Sequence, residues 1–342
     1  MAKPPNEKNE RLKRQFLEYR KYAKRLSDKS LDREIAALER FDVWNRRRDF
    51  AQFHIEWAMG FRDHLDSATG KNGQPFAKST LRAMLATMRE FILWLSQQNG
   101  FRSRNRAADA DYFSLSRRDE AEARAAPQRP APSIKQAKAA LALMPKDTPL
   151  EMRDRAVFAL LCLTGIRVVA LVTLKIKHVN LQEKSVTQNP REVATKFGKV
   201  IDTFFAKDFL EAETALADWM NYLDAVALYG PDDPLFPATA ITAQADRGFA
   251  ATGIQRKHWK TTEPVRKIVR LAFAALDLPN YGPHAFRHML ARHAAKTYDS
   301  VAELVATAQN LGHTDVLTTL RSYGQISRGD QRRLITGLVD EA

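Results

Sequence analysis

The chain has 342 residues, 44% hydrophobic and 27% charged, a globular balance that fills about two domains at ~100–200 residues each. Basic residues outnumber acidic ones, 54 against 40, giving a net charge of +14 and a pI near 9.8, which favours a polyanionic partner, nucleic acid above all. Cys162 is the single cysteine, which excludes an intrachain disulfide and a multi-thiolate zinc site. The polar N-terminus lacks the apolar core of a signal peptide, and no apolar stretch suits a membrane span, so a reducing cytosol is expected.

Residues 8–26 are rich in helix formers, with Leu12, Phe16, Tyr19, Tyr22 and Ala23 at helical spacing. Ser30 is placed to cap a second helix that runs to Trp44, with Ile35, Leu38 and Phe41 on one face. A third helix is expected over residues 53–65, and a turn-rich stretch at 67–73 separates it from a fourth. That fourth helix opens at Ser79 and carries the stripe Leu85, Met88, Ile92 and Leu95 to about residue 97. Its basic positions Lys78, Arg82 and Arg89 suit phosphate contacts, although a solvated helix face looks the same in sequence. Residues 121–132, rich in alanine, proline and charge, are expected to be an extended linker between domains at 1–120 and 133–342. Beyond it, Ser133 opens a helix with Ile134, Ala137, Leu141 and Met144 in a stripe, and residues 149–163 form the next. Thr164-Gly165 breaks that helix, and residues 166–174 restart it. Residues 184–187 and 200–205 have strand patterning, which predicts a small antiparallel sheet with a turn at Lys196-Phe197-Gly198-Lys199. Helices return over 207–228 and dominate from Pro264. The expected class is mainly α with a small antiparallel β-sheet. There is no Gly-rich loop ending in Gly-Lys-Ser/Thr to hold a nucleotide.

Chemistry concentrates in four places: Thr164-Gly165-Ile166-Arg167, His284-Ala285-Phe286-Arg287, Leu311-Gly312-His313 and Leu320-Arg321-Ser322-Tyr323. Guanidinium forks bind phosphate oxygens, imidazoles move protons, and a phenol can become a covalent nucleophile. His284 and Arg287 share a helix face whose N-terminus favours an anion. Alone, each element is weak: a histidine can cap its own helix, and a tyrosine is most often a half-buried aromatic. In this order they suit attack on a phosphodiester, hence strand breakage and rejoining rather than binding alone.

The combination resembles the tyrosine recombinases, the phage integrase family. Thr164-Gly165-Ile166-Arg167 is similar to the family's first arginine box. His284-Ala285-Phe286-Arg287-His288 is similar to the second, which Leu311-Gly312-His313 and Tyr323 complete. Residues 79–95 look like part of the family's N-terminal, SAM-like core-binding domain. The resemblance implies that domain followed by an α+β catalytic domain. It implies Tyr323 as nucleophile, Arg167 and Arg287 on the non-bridging oxygens with His313 beside them, His284 as base, and Lys196 as acid. Lys199 is the alternative acid, and for either lysine the plainer reading is a phosphate contact or a solvated turn. It also implies double-stranded DNA as partner, a tetramer assembled on it, accessory DNA-bending proteins, a nucleoid location, and no metal or cofactor.

Two features depart from the pattern. Ala170 stands where the family often has glutamate, so another group has to orient Arg167. The stretch from His313 to Tyr323 is one residue longer than in many members. The tail at 327–342, with Leu334, Ile335 and Leu338 on one face, suits a short amphipathic helix that packs on its own domain or, as the resemblance favours, on a neighbouring subunit. A topoisomerase IB-like relaxase and a catalytically silent DNA-binding regulator are the competing readings.

Overall fold

The computed structural model describes residues 4–70, 72–101, 107–124, 130–195, 198, 200–244, 248–297 and 300–312. The chain divides into two compact units, Met1–Ala126 and Pro127–Ala342. Most described residues are helical, and the strands form small antiparallel sheets. No helix among the described residues is long and apolar enough to cross a membrane.

The first unit holds α1 (Glu7–Tyr22), α2 (Asp28–Trp44), α3 (Ile55–Ser67), α4 (Lys78–Leu95) and α5 (Arg117–Arg124). The Asn6 side chain accepts from the amides of Lys8 and Asn9 and starts α1. That helix stops at Tyr22, short of residue 26, and Arg25 turns left-handed at φ 53°. Ser27, not Ser30, occupies the cap position of α2, with Asp28 placed to favour the helix dipole. The amphipathic stripe of α4 buries Leu81, Leu85, Met88, Phe91, Ile92 and Leu95. These residues join an aromatic core in which Phe16 meets Phe91 edge-on at 5.3 Å and Phe41 meets Phe61 at 5.0 Å. One polar cluster lies beside it. The Lys13 ammonium sits among Glu10, Glu39 and Asp42 at 2.6, 2.8 and 3.1 Å, so the three carboxylates already hold a cation of the protein's own.

α5 corrects one expectation. Residues 121–124 are the end of a helix rather than extended linker. Ser116 caps it by accepting from the Asp119 amide, and Glu120 pairs with Arg124 one turn on. Its alanines are also strong helix formers. α5 buries none of its residues.

The second unit is built around α7 (Pro149–Thr164). A capping box between Thr148 and Glu151 starts this helix, with Pro149 in its first turn. Every residue from Ala156 to Thr164 is buried, because α6 (Ile134–Leu143), α9 (Leu210–Ala225), α10 (Glu263–Ala274) and α11 (His284–Thr297) surround it. Cys162 is a small buried hydrophobe in this run. The restart after Gly165 is much shorter than the expected 166–174: α8 is Val168–Leu171. β1 (Val179–Asn180), β2 (Ser185–Gln188) and β3 (Ile201–Phe204) form a sheet in that order, with Val179 opposite Val186 and Gln188 opposite Ile201. α12 (Val301–Asn310) ends the described chain apart from Leu311 and Gly312.

The sequence pattern of residues 229–263 names no element, yet β4 (Pro237–Gln244) and β5 (Gly248–His258) pair there as a second hairpin. Its base is tied to α7 by Arg153, which donates to Pro237 O at 2.9 Å and Thr239 Oγ1 at 3.1 Å and lies 4.9 Å over the Trp259 ring.

Candidate active site

Four segments of the second unit build the site. The first is the end of α7. Thr164 is fully buried, and its hydroxyl donates to Leu160 O and accepts from Ile166 N at 3.1 Å, so it closes the helix. Gly165 follows in the left-handed conformation at φ +55°. A Cβ there would lie 3.2 Å from Arg287 Cγ and 3.3 Å from Arg287 Cα. Glycine is therefore required twice over, for the turn and for the close approach of α11. The reversal places Arg167 at the cap position of α8.

The second segment is α11, which His284 opens and Arg287 follows one turn later. Arg287 is 5% exposed. Its Nη1 donates to Gly165 O at 2.9 Å and its Nη2 to Leu311 O. The third segment is the end of α12, where Gly312 turns left-handed at φ +62°. Gly312 O accepts from Arg167 Nη2 at 3.2 Å. A Cβ on Gly312 would meet Ile201 at 3.0 Å and Arg167 Nη1 at 3.4 Å. The carbonyls of Leu311 and Gly312 thus orient one arginine each. Ala170 is buried and offers no acid, and the group that meets Arg167 is the Gly312 carbonyl.

The fourth segment, residues 189–195, lies between β2 and β3. The Thr173 hydroxyl donates to Ala170 O at 2.9 Å and accepts from Ala194 N at 3.0 Å, linking this segment to the helix of Arg167. Lys175, Lys177 and His178 converge on Glu192 at 3.2, 2.7 and 3.2 Å. Hydrogen bonds from Lys177, His178 and Lys175, in that order of strength, pull the Glu192 carboxyl down to about 2.

The electrostatics favour an anion. Burial, and then the neighbouring Arg167 charge, push Arg287 down to about 9, and burial lowers Arg167. Guanidiniums keep their protons in proteins, so both are cations whose surroundings penalise the charge. A tetrahedral oxyanion held by the two forks would relieve that penalty, and it would gain most from charge that grows during a reaction.

The remaining candidates fall into three groups. His284 is exposed at the start of α11, its ring 4.9 Å from that of His288. Lys196, Lys199, His313, Tyr323 and the tail at 327–342 lie outside the described residues. In the first unit, Lys78 pairs with Asp66 and Asp119 at 3.0 and 3.2 Å, Arg82 with Glu120 at 2.9 Å, and Arg89 with Asp111 at 2.7 Å. Hydrogen bonds to Asp66 and Asp119 hold Lys78 above the ordinary lysine value. Sequence reasoning missed Thr173, Asn310 and the carbonyls of residues 311 and 312. The glycines at 165 and 312 were the available signal, because each marks a place where backbone comes close to an arginine.

A model of the phage integrase family matches residues 133–328. Among curated proteins, the tyrosine recombinase XerD of Pasteurella multocida is 27% identical over 177 residues, which is 51% of this chain and 50% of that protein. XerD of Haemophilus influenzae is 27% identical over 192 residues, 55% of each chain. The chain spans about half the length of these curated relatives. XerD of Vibrio cholerae is 25% identical over 308 residues, 89% of this chain and 88% of that one. Two solved structures share the fold. The Tn1549 transposon integrase in complex with transposon right-end DNA has a TM-score of 0.57 at 12% identity, covering 95% of this chain and 98% of that one. A lambda integrase dimer bound to a COC′ core site has a TM-score of 0.55 at 14% identity, covering 92% and 96%.

Proposed function

The chain belongs to the phage integrase family, and on that premise we propose that it is a site-specific DNA recombinase serving the integration, excision or transposition of a mobile element. The observation that carries this reading is the pairing of Arg167 and Arg287, which lie far apart in sequence and are held by three backbone carbonyls at one place. The neighbouring structures support it too: both are integrases solved with DNA.

In the proposed reaction, the Tyr323 oxygen attacks the scissile phosphorus as His284 takes the phenolic proton. The bond from phosphorus to the 5′-oxygen breaks. Lys196, or Lys199 in its place, protonates that oxygen, leaving a 3′-phosphotyrosyl bond and a free 5′-hydroxyl. Arg167, Arg287 and His313 stabilise the charge that grows on the non-bridging oxygens. The incoming 5′-hydroxyl of another strand then displaces the tyrosine. The phosphotyrosyl link conserves the free energy of the original ester, so no nucleotide is consumed. Double-stranded DNA is the substrate, and strand exchange between two duplexes calls for a tetramer on it, with accessory DNA-bending proteins where the site requires them.

The test uses a duplex selected from a randomised library by binding to the full chain, then nicked to trap cleavage. The wild type is expected to form an SDS-resistant protein–DNA adduct, and Tyr323→Phe to bind that duplex without forming one. An undiminished adduct from the Phe variant would overturn the assignment. So would relaxation by the monomer of plasmids that lack the site.

A further inference from the structure

Asn310, the last residue of α12, does something unusual for a helix terminus. β3 is the edge of its sheet, so the Phe204 amide and carbonyl point off the open side. The Asn310 side chain meets both: Oδ1 accepts from Phe204 N at 2.6 Å, and Nδ2 donates to Phe204 O at 2.9 Å. A carboxamide is the side-chain equivalent of a peptide group, so it pairs with a strand edge as another strand would. The Asn310 main chain adds a third link, because its carbonyl accepts from the buried Thr203 hydroxyl at 3.2 Å. That hydroxyl in turn accepts from Gln188 Nε2 of β2 at 3.0 Å. Asn310 therefore joins α12 to the two strands that flank residues 189–200.

The next two carbonyls are the ones that hold the arginines: Leu311 O on Arg287 and Gly312 O on Arg167. Helix ends fray unless something fixes them. Here the fixing group sits one residue before the two acceptors. An apolar side chain at 310 could pack on α12 but could not set its register along β3.

We propose that Asn310 is a positioning residue for the recombination chemistry, locking the end of α12 to β3 and so setting the two carbonyls that orient Arg167 and Arg287. The inference rests on the recombinase reading for its kinetic arm only. Asn310→Ala removes both side-chain bonds. Asn310→Asp is isosteric and keeps the acceptor for Phe204 N, but it loses the donor to Phe204 O.

Single-turnover adduct formation at saturating duplex is expected to fall about 10–100-fold in Asn310→Ala, the cost of roughly 1 Å of misplacement, with Asn310→Asp between it and wild type. The duplex Kd and the melting temperature are expected to stay close to wild type. A 5′-phosphorothiolate substrate, whose leaving group needs no acid, is expected to show the same deficit, because the defect lies with the arginines. An unchanged rate, a deficit that vanishes on the phosphorothiolate, or a loss carried wholly by Kd would overturn the proposal.

A second arm requires no reaction. Sulfate binding to the full chain, read as the sulfate-dependent rise in melting temperature, is expected to weaken in Asn310→Ala towards the level of Arg167→Ala. A sulfate response equal to wild type would overturn the proposal. If the wild type forms no adduct at all, the recombinase reading fails while the sulfate comparison still decides the role of Asn310.

Discussion

Two sets of cations in this protein suit phosphate in the sequence, and the structure treats them differently. On α4, Lys78, Arg82 and Arg89 are partly exposed and each is met by carboxylates. In the second unit, Arg287 is buried and Arg167 half-buried, and both are held by backbone carbonyls. A carboxylate cancels a charge, whereas a carbonyl offers only a dipole and fixes direction. The first arrangement gives cations that are already satisfied and that a phosphate has to win from a competitor. The second gives cations aimed in advance, with burial weighing against their charge and Arg287 lowered to about 9. Preorganisation of this kind is what a transition state rewards.

The strongest test of the comparison is truncation of its second member. Arg167→Ala or Arg287→Ala is expected to lower single-turnover cleavage about 10²–10³-fold, the usual cost of losing one preorganised donor. Duplex affinity should change far less. A loss in affinity as large as the loss in rate would mean that these arginines are ordinary phosphate contacts.

Next in size is Gly165→Ala. The left-handed backbone costs a non-glycine residue about 1–2 kcal/mol, and the new Cβ also presses on Arg287 and Leu290 at 3.2 Å. The expected outcome is a lower urea midpoint together with slower cleavage. A variant as stable and as fast as wild type would show that the close approach of α7 and α11 is dispensable.

The α4 cations predict smaller changes. Exposed ion pairs are worth about 0.2–1 kcal/mol each, so Glu120→Gln is expected to raise duplex affinity modestly by freeing Arg82. Lys78→Ala is expected to flatten the dependence of log Kd on log salt by about one unit. If neither change appears, the α4 face is a solvated surface and the comparison loses its first member.

The smallest effect concerns pH. The Glu192 carboxyl is depressed to about 2, below an unfolded value near ~4.3. Its contribution to stability is therefore complete above the unfolded value and disappears as pH falls through about 2. The difference in urea midpoint between wild type and Glu192→Gln is expected to be constant above about pH 5 and to shrink on acidification. A difference that stays flat as pH falls from about 5 to about 2 would remove Glu192 as the anchor of residues 189–195.

The sequence shows the helices with strong stripes, the break at Gly165 and the spacing of the boxes, because periodicity and glycine report local geometry. It does not show what holds Arg167. Ala170 offers no acid, and the group that meets Arg167 is the carbonyl of residue 312, a group every residue possesses. The hairpin of β4 and β5 is hidden for a related reason. Its two strands are held by each other and by scattered polar ties, Arg153 to Pro237 O, Arg256 to Leu228 O and His258 to Val172 O, and no alternating apolar face announces them. α5 is hidden by composition, since its alanines and charges read equally well as linker or as helix.

The nine residues from Ala156 to Thr164 are all buried, and the arginine box begins where they end. Amide protons on such a helix exchange with solvent only when the whole unit opens. The turn that aims Arg167 is therefore expected to open with the core rather than by itself. Deuterium uptake at Gly165 and Ile166 should be as slow as the slowest amides of the second unit. A destabilising change anywhere in that core would then appear first as fewer competent molecules, each of them working at full speed.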